Sequence, residues 1–231
     1  MMKKITKLVL LAVAAAFLVA ALPACSSGSG GDDDTALDSS GGGGGGGSGG
    51  SGGSGAGTTA TAATYNFVGL SEADFAGGTV GEEASGYWPL TGTFTMGGTA
   101  TGATVYSKGN GNARAGVSNG VTTRINLNGD GLSNSAVGTN VDISTSSRYV
   151  SIPVPAAGTV TVNCQGSSSG TLGKVVITDA DGNVINAETV TANAADYTAD
   201  FTAAGTAYVT YSREGQGGGG LHVYSVSYEP K

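Results

Sequence analysis

Histidine, the side chain most often used in acid–base catalysis, occurs once in the 231-residue chain, as His222. A metal site built from a histidine cluster is therefore excluded, and the sequence around His222 supplies no partner for a catalytic triad. We predict that His222 lies in an alternating strand, on the face shared with Tyr224, Val226 and Tyr228. A structural or surface role is expected for it.

Oxygen-bearing side chains at alternate positions, Asp179, Asp181 and Asn183, suit a hard cation such as calcium. The downstream bidentate glutamate of a calcium loop is missing at the required spacing, since Glu188 is offset. The segment also lies where a hairpin between residues 175–177 and 184–185 needs a turn. We interpret it as that turn and keep a structural calcium ion as the alternative. No other cofactor is expected.

Aromatic residues are the most plausible binding feature, because sugar rings stack their C–H faces on aromatic planes. Tyr87 and the only tryptophan, Trp88, lie beside a glycine and a proline that indicate a loop or strand edge. Tyr211 and Arg213 end a probable strand before a glycine-rich loop. These four residues are the candidate ligand contacts. The competing interpretation is that Trp88 and most tyrosines fill the core.

The elements that would position these residues are strands. Gly, Thr, Val and Tyr dominate after residue 64, helical periodicity is almost absent, and short alternating runs are separated by turn signals. In one of these runs Cys164 alternates with Val162 and Val160, which points it inward as an inert buried thiol. The pattern predicts an all-β domain, an antiparallel β-sandwich. The clearest runs are residues 122–127, 149–154, 159–164, 174–178, 207–211 and 221–228.

The order of these blocks resembles the jelly-roll module appended to many secreted bacterial pectate lyases. The resemblance covers most of residues 64–229 and implies a jelly-roll-like, carbohydrate-associated β-sandwich. It does not imply lyase activity, since that activity belongs to a separate right-handed β-helix domain. The blocks that carry it are residues 65–75, 123–131, 147–184 and 208–228.

The N-terminus has the form of an export signal. Three lysines in residues 1–7 precede an apolar run, 8–22, which is too short for a dedicated membrane-spanning helix. Cys25, at the end of Leu22-Pro23-Ala24-Cys25, resembles the lipobox of bacterial lipoproteins, whose thiol is acylated, for example with palmitate. The alternative is ordinary secretion with a free thiol at Cys25. Ser26, in place of Asp, implies sorting to the outer membrane where two membranes exist.

The sequence thus divides into three parts. Residues 1–24 are the predicted lipoprotein signal peptide, 25–63 a lipidated, disordered Gly/Ser-rich tether, and 64–231 the β-sandwich. The tether includes seven successive glycines, 41–47. So few apolar side chains cannot offset the entropy of ordering its backbone. We expect it to space the domain from a membrane.

The charge balance limits the classes of ligand that we expect. The chain carries seventeen acidic and ten basic residues, three of which lie in the predicted leader. An acidic mature protein disfavours nucleic acid and polyanionic ligands unless a local basic patch overrides the balance.

Three functions are weighed on these grounds. The first is an anchored, non-catalytic module that binds glycan or a cell-envelope partner. The second is a structural or adhesive envelope lipoprotein with a protein partner and no affinity for sugar. A polysaccharide-active enzyme is third, because the adjacent pair Glu82 and Glu83 is typical of a solvated loop and not of two facing catalytic carboxylates.

Overall fold

A computed structural model describes residues 59–132, 136–167, 172–214 and 219–231. The predicted leader, Cys25 and most of the predicted tether lie outside the described residues, so the proposed anchor and the domain boundaries stay predictions. Within the described ranges, no helix has both the length and the apolar character needed to cross a membrane.

The described chain is built from fourteen strands and three short 3-10 turns, which confirms the all-β prediction. Every ladder between named strands is antiparallel. The strands are β1 Ala63–Asn66, β2 Phe75–Ala76, β3 Thr79–Val80, β4 Tyr87–Met96, β5 Thr104–Ser107, β6 Ala113–Ser118, β7 Val121–Asn128, β8 Arg148–Val154, β9 Gly158–Gly166, β10 Lys174–Thr178, β11 Val184–Thr189, β12 Ala195–Phe201, β13 Gly205–Ser212 and β14 Gly220–Pro230.

Two sheets form the layers of a sandwich. Sheet A has the order β12-β9-β14-β7-β6-β4-β3, and β1 also pairs with β14. Sheet B has the order β11-β10-β13-β8-β5-β4-β2. The six runs predicted from sequence correspond to β7, β8, β9, β10, β13 and β14, and the turn predicted at residues 181–183 joins β10 to β11.

The long strand β4 belongs to both sheets. Its first half, from Tyr87, pairs with β6 in sheet A, while the half after Gly92 pairs with β5 in sheet B. Gly92 has φ of +103°, a conformation that glycine adopts without strain, and it marks the corner. Pro89 has no N–H to donate, and its carbonyl accepts from Gly81 N, so this side of the residue faces the two-residue edge strand β3. A proline is tolerated there because the short edge strand requires few ladder hydrogen bonds. The loop or strand edge predicted around Trp88 is thus the start of this ten-residue strand.

Strand β14 lies in the middle of sheet A, between β9 on one side and β7 and β1 on the other. A β-bulge between Val223 and Ser225 shifts its register against β9. The extra residue reverses the alternation, so Val226 and Tyr228 are buried in the core while His222 and Tyr224 face outward. The prediction of one shared face for these four residues is therefore wrong.

The core lies between the sheets and follows the period-2 alternation of strands. In β9 each second residue from Gly158 to Gly166 is buried, and Cys164 is fully buried, as predicted. Burial raises the pKa of the Cys164 thiol well above its ordinary value, which keeps it protonated and unreactive.

Candidate functional site

Three tyrosines share the outer face of sheet B on adjacent strands. Tyr106 in β5 is directly opposite Tyr149 in β8, and Tyr208 in β13 is opposite Ser151 on the same face of β8. Their neighbours Val105, Val150 and Val209 are fully buried, so the alternation of each strand turns the tyrosine outward. All three tyrosines are half-buried.

The three rings contact one another. Tyr106 and Tyr149 stack with centroids 5.0 Å apart and an interplanar angle of 27°, and Tyr149 meets Tyr208 edge-to-face at 5.1 Å and 80°. Tyr149 is therefore the central ring. No described residue forms a hydrogen bond with any of the three hydroxyl groups, which leaves them available to a ligand.

Two loops project beside these rings and form one side of a cleft, called here the wall. The tip of the β10–β11 hairpin and the segment 139–145 are joined by hydrogen bonds from Val141 N to Gly182 O, 2.8 Å, and from Val184 N to Thr139 O, 2.9 Å. Gly182 has φ of +82°, and a Cβ there would overlap the Val141 carbonyl oxygen. The wall therefore depends on glycine at this position.

Rings and wall enclose an open cleft of about 500 Å³, called here the tyrosine cleft, within the usual size range of ligand sites. Asp142 accepts from Ser144 N and Oγ through Oδ1, 3.0 and 2.6 Å, and its Oδ2 bonds to no described residue. The Asp181 carboxylate also lacks a described partner. The cleft thus offers apolar ring surface, free hydroxyls and free acceptor oxygens. Its residues are Tyr106, Asn140, Val141, Asp142, Ile143, Ser144, Tyr149, Ala180, Asp181, Gly182 and Tyr208.

The Tyr149 hydroxyl remains a donor over the physiological pH range. Its pKa is raised above the ordinary value of 10.0, first by burial and then by the neighbouring Tyr208 and Tyr106 hydroxyls. A protonated hydroxyl can both donate and accept, which matches the hydroxyl groups of a sugar.

The structure places two of the four predicted ligand contacts in the core. Trp88 is 7% exposed and packs its ring edge-to-face on Phe75, with centroids 6.2 Å apart. Tyr211 is fully buried, and its hydroxyl accepts from Gly173 N at 2.8 Å. Neither ring offers a face to a ligand. The predicted binding role is corrected for both, because each lies on the inward phase of its strand.

The other two predicted contacts lie apart from the cleft. Tyr87 is half-buried on the outer face of sheet A, where the guanidinium groups of Arg114 and Arg124 lie 5.8 and 5.6 Å from its ring centroid. Arg213 donates to Gly219 O at 3.1 Å, and its Nε is buried without a described partner. Sequence analysis did not single out Tyr106, Tyr149 or Tyr208. The alternation of Tyr149 and Tyr208 with buried valines was the signal that could have found two of them.

The segment considered for calcium forms the turn between β10 and β11. Asp179 Oδ1 accepts from the backbone of Asp181 and Asn183 at 3.0 and 2.9 Å, and Oδ2 accepts from Asn183 Nδ2 at 2.8 Å. Within the described residues, no group of three or more His, Cys, Asp or Glu side chains is placed to hold a metal ion. Both carboxylate oxygens of Asp179 thus accept hydrogen bonds within the turn, and calcium binding stays a prediction.

His222 lies on the outer face of sheet A with a pKa lowered from 6.5 to about 4. Burial is the larger cause, and the positive charge of Arg124 is the second. The imidazole is therefore neutral near pH 7, in keeping with the structural or surface role expected from sequence.

Comparison with protein-family models gave no match, and comparison with curated protein sequences gave none. Among solved structures, a mutant of a family 29 carbohydrate-binding module has 10% identity and a TM-score of 0.36, over 62% of this chain and 91% of that one. The C-terminal CBM6 of a laminarinase from Zobellia galactanivorans has 10% identity and a TM-score of 0.33, over 73% and 98%. A lysine-gingipain adhesin domain from Porphyromonas gingivalis has 12% identity and a TM-score of 0.35, over 74% and 99%. Similarity this distant says nothing about ligand or activity.

Proposed function

We propose that this protein is a non-catalytic module that binds a neutral glycan in the tyrosine cleft. The observation that carries the proposal is the row of Tyr106, Tyr149 and Tyr208, with unbonded hydroxyls beside a wall of polar groups. Aromatic rings supply the apolar contact for sugar C–H faces, and hydroxyl and carboxylate oxygens take the sugar hydroxyls.

The charge of the cleft supports a neutral ligand. Asp142 and Asp181 are the only charged residues among its described lining residues, and both are acidic. Two carboxylates repel an anionic saccharide while accepting hydrogen bonds from hydroxyl groups.

The same carboxylates support binding over hydrolysis. Asp142 and Asp181 are exposed. A glycosidase needs one carboxyl group held protonated near neutral pH, which usually requires an apolar pocket. Incubation with polysaccharides should release no reducing sugar, and sustained release would contradict the non-catalytic proposal.

Affinity electrophoresis through gels containing individual neutral polysaccharides tests the binding. Retardation is expected for the wild type and for Tyr149→Phe, which keeps the ring. Tyr149→Ala removes the central ring and should weaken binding by about 2 kcal/mol, roughly 30-fold in Kd. Tyr224→Ala, a tyrosine on the opposite outer face, is the matched control and should bind as the wild type does.

Two results would overturn this assignment. One is retardation by no neutral polysaccharide, which would favour a protein partner on the cell envelope. The other is equal weakening by Tyr149→Ala and Tyr224→Ala, which would show that the cleft is not the site.

We also propose that Cys25 is lipidated and that the Gly/Ser-rich tether holds the module at a distance from a bacterial membrane, the outer one where two exist. The leader followed by Cys25 supports this proposal. Cys25→Ser should move the protein from the membrane fraction to the soluble fraction. Unchanged membrane association would contradict it.

A further inference from the structure

The outer face of sheet A carries a second, differently charged group of residues, Tyr87, Arg114, Arg124, Asn126 and His222, called here the arginine face. The strands align them in two cross-strand rows. Tyr87 of β4, Gly116 of β6 and Arg124 of β7 form one row, and Arg114, Asn126 and His222 form the other.

Glycines make room for both arginine side chains. At Gly116, a Cβ would come within 3.1 Å of Arg124 Cγ and Cζ, so the missing side chain lets Arg124 lie flat across β6. The Arg124 guanidinium reaches the Tyr87 hydroxyl at 3.0 Å. At Gly111, with φ of +83°, a Cβ would lie 3.2 Å from an Arg114 guanidinium nitrogen. Both arginines therefore lie over glycines.

The positive charge of this face is not paired with any described carboxylate. Neither Arg114 nor Arg124 forms an ion pair with a described residue, although the chain is acidic overall. Arg114 contacts the Tyr87 ring but donates no hydrogen bond to any described residue, so its planar fork is free. The Arg124 guanidinium donates to Thr123 Oγ1 and to the Tyr87 hydroxyl, both at 3.0 Å, so its hydrogen bonds go to neutral oxygens. An oxyanion would supply the counter-charge that both arginines lack among the described residues.

Arg124 Nε and Asn126 Oδ1 are buried beneath this face with no described partner, and neither residue lines the cleft beside it. The groups that this face offers to a ligand are therefore the two guanidinium groups, which suit an oxyanion.

A cleft of about 420 Å³ opens beside Arg114 and Tyr87, large enough for such a ligand. Its remaining described lining residues are uncharged, and Ser85 and Asn110 supply a hydroxyl and an amide for the hydroxyl groups of a sugar. These lining residues are Ala84, Ser85, Pro89, Asn110 and Gly111.

We propose that the arginine face binds an acidic saccharide, whose carboxylate or sulfate ester is held by Arg114 and Arg124 while the sugar ring lies in the adjoining cleft. Guanidinium forks recognise both oxyanions through paired hydrogen bonds. This site lies on the other sheet from the tyrosine cleft and does not depend on it.

Titration calorimetry on the purified full chain in detergent tests this proposal with four probes. They are an oligouronide, a sulfated oligosaccharide, a neutral oligosaccharide bound by the tyrosine cleft, and inorganic sulfate alone. One or both acidic saccharides should bind, with an affinity that falls as salt is raised. Arg114→Gln with Arg124→Gln should weaken that binding at least roughly tenfold. Arg124→Lys, which keeps the charge and loses the fork, should fall between.

Two controls keep the test specific. Lys231→Gln removes one exposed positive charge elsewhere and should leave acidic saccharide binding unchanged. Binding of the neutral oligosaccharide should survive the double arginine substitution, which would also show that the variant is folded.

Each remaining outcome contradicts the proposal. Acidic saccharides that fail to bind, or that bind the double variant as tightly as the wild type, would overturn it while leaving the tyrosine cleft intact. Inorganic sulfate that binds as tightly as the sulfated saccharide would remove the role of the sugar. Binding to anionic vesicles without binding to soluble acidic saccharides would assign the face to a membrane instead.

Discussion

The two outer faces of the sandwich use the same residue type in opposite electrostatic settings. On sheet B, the ring of Tyr149 contacts two other tyrosines, and the charged side chains described in the cleft lining are carboxylates. On sheet A, the ring of Tyr87 lies against Arg114 and Arg124. The difference arises from which residues oppose each tyrosine across the strands. An exposed tyrosine on a strand therefore does not define a ligand until its cross-strand neighbours are known.

The faces also differ in what holds them in place. The tyrosine cleft needs a loop from outside the sheet, docked through Gly182. The arginine face is formed mainly by strand residues, with Gly116 opposite Arg124 in the ladder. We therefore expect loop substitutions to damage the first face and charge substitutions to damage the second.

The largest effect should come from Gly182→Ala, which adds a Cβ against Val141 O in a left-handed conformation. We expect destabilisation of about 1–3 kcal/mol and loss of neutral-glycan binding, because the wall cannot dock. Gly120→Ala is the matched control, since Gly120 has φ of +78° and nothing within 4 Å of its Cβ position. Urea unfolding and affinity electrophoresis measure both. Equal effects on binding would show that the wall is dispensable.

A smaller effect is expected from acid, and it should arise on the arginine face. The pKa of His222 is about 4 in the folded chain against 6.5 ordinarily, so the unfolded chain binds more protons between these values. Stability should therefore fall as pH drops from 6.5 towards 4. Because the imidazole is partly exposed, we expect its share to be about 1–2 kcal/mol.

Urea unfolding from pH 7.5 to 4.0 measures this share as the difference between wild type and His222→Gln. The wild-type free energy of unfolding should fall relative to that of His222→Gln as pH falls, because only the wild type binds a proton at position 222 on unfolding. Parallel curves across this window would contradict the lowered pKa. Neutral-glycan binding at the tyrosine cleft should not follow His222, since that residue lies on the other sheet.

The smallest effect isolates the charge of Arg124. Because Arg124 contributes to the lowered pKa of His222, Arg124→Gln should raise that pKa while burial keeps it below 6.5. His222 is the only histidine, so its ring proton signals in an NMR titration are assigned without ambiguity. Arg124→Lys should restore the lower pKa. A pKa that does not move in Arg124→Gln would show that burial alone sets it.

Periodicity in the sequence is sufficient to predict the fold class, and it also carries information about the site. In β13, Ala207, Val209 and Tyr211 share the inward phase, which leaves Tyr208 outward. By the same alternation, Trp88 shares the inward face of β4 with the buried Leu90, so both lie in the core. By this alternation, Tyr208 and not Tyr211 is the outward-facing candidate for a ligand contact.

Other features could not be obtained by counting along one strand. The bulge in β14 reverses the outward face within a single strand, and the corner at Gly92 moves β4 from one sheet to the other. Docking of Val141 on Gly182 joins segments about forty residues apart, and local propensity does not encode such a contact. The tyrosine cleft and the arginine face are both products of this long-range register.

The central place of β14 has a kinetic consequence. Before residues 220–230 are available, β9 and β12 have no described ladder to β7, β6 and β4, and β1 has no described strand to pair with. Pairing between residues as distant as Ala63 and Tyr228 gives a topology that folds slowly. For a chain exported as proposed, late closure of sheet A would delay completion of the sandwich and so lengthen the time for which the polypeptide can pass through a translocation channel.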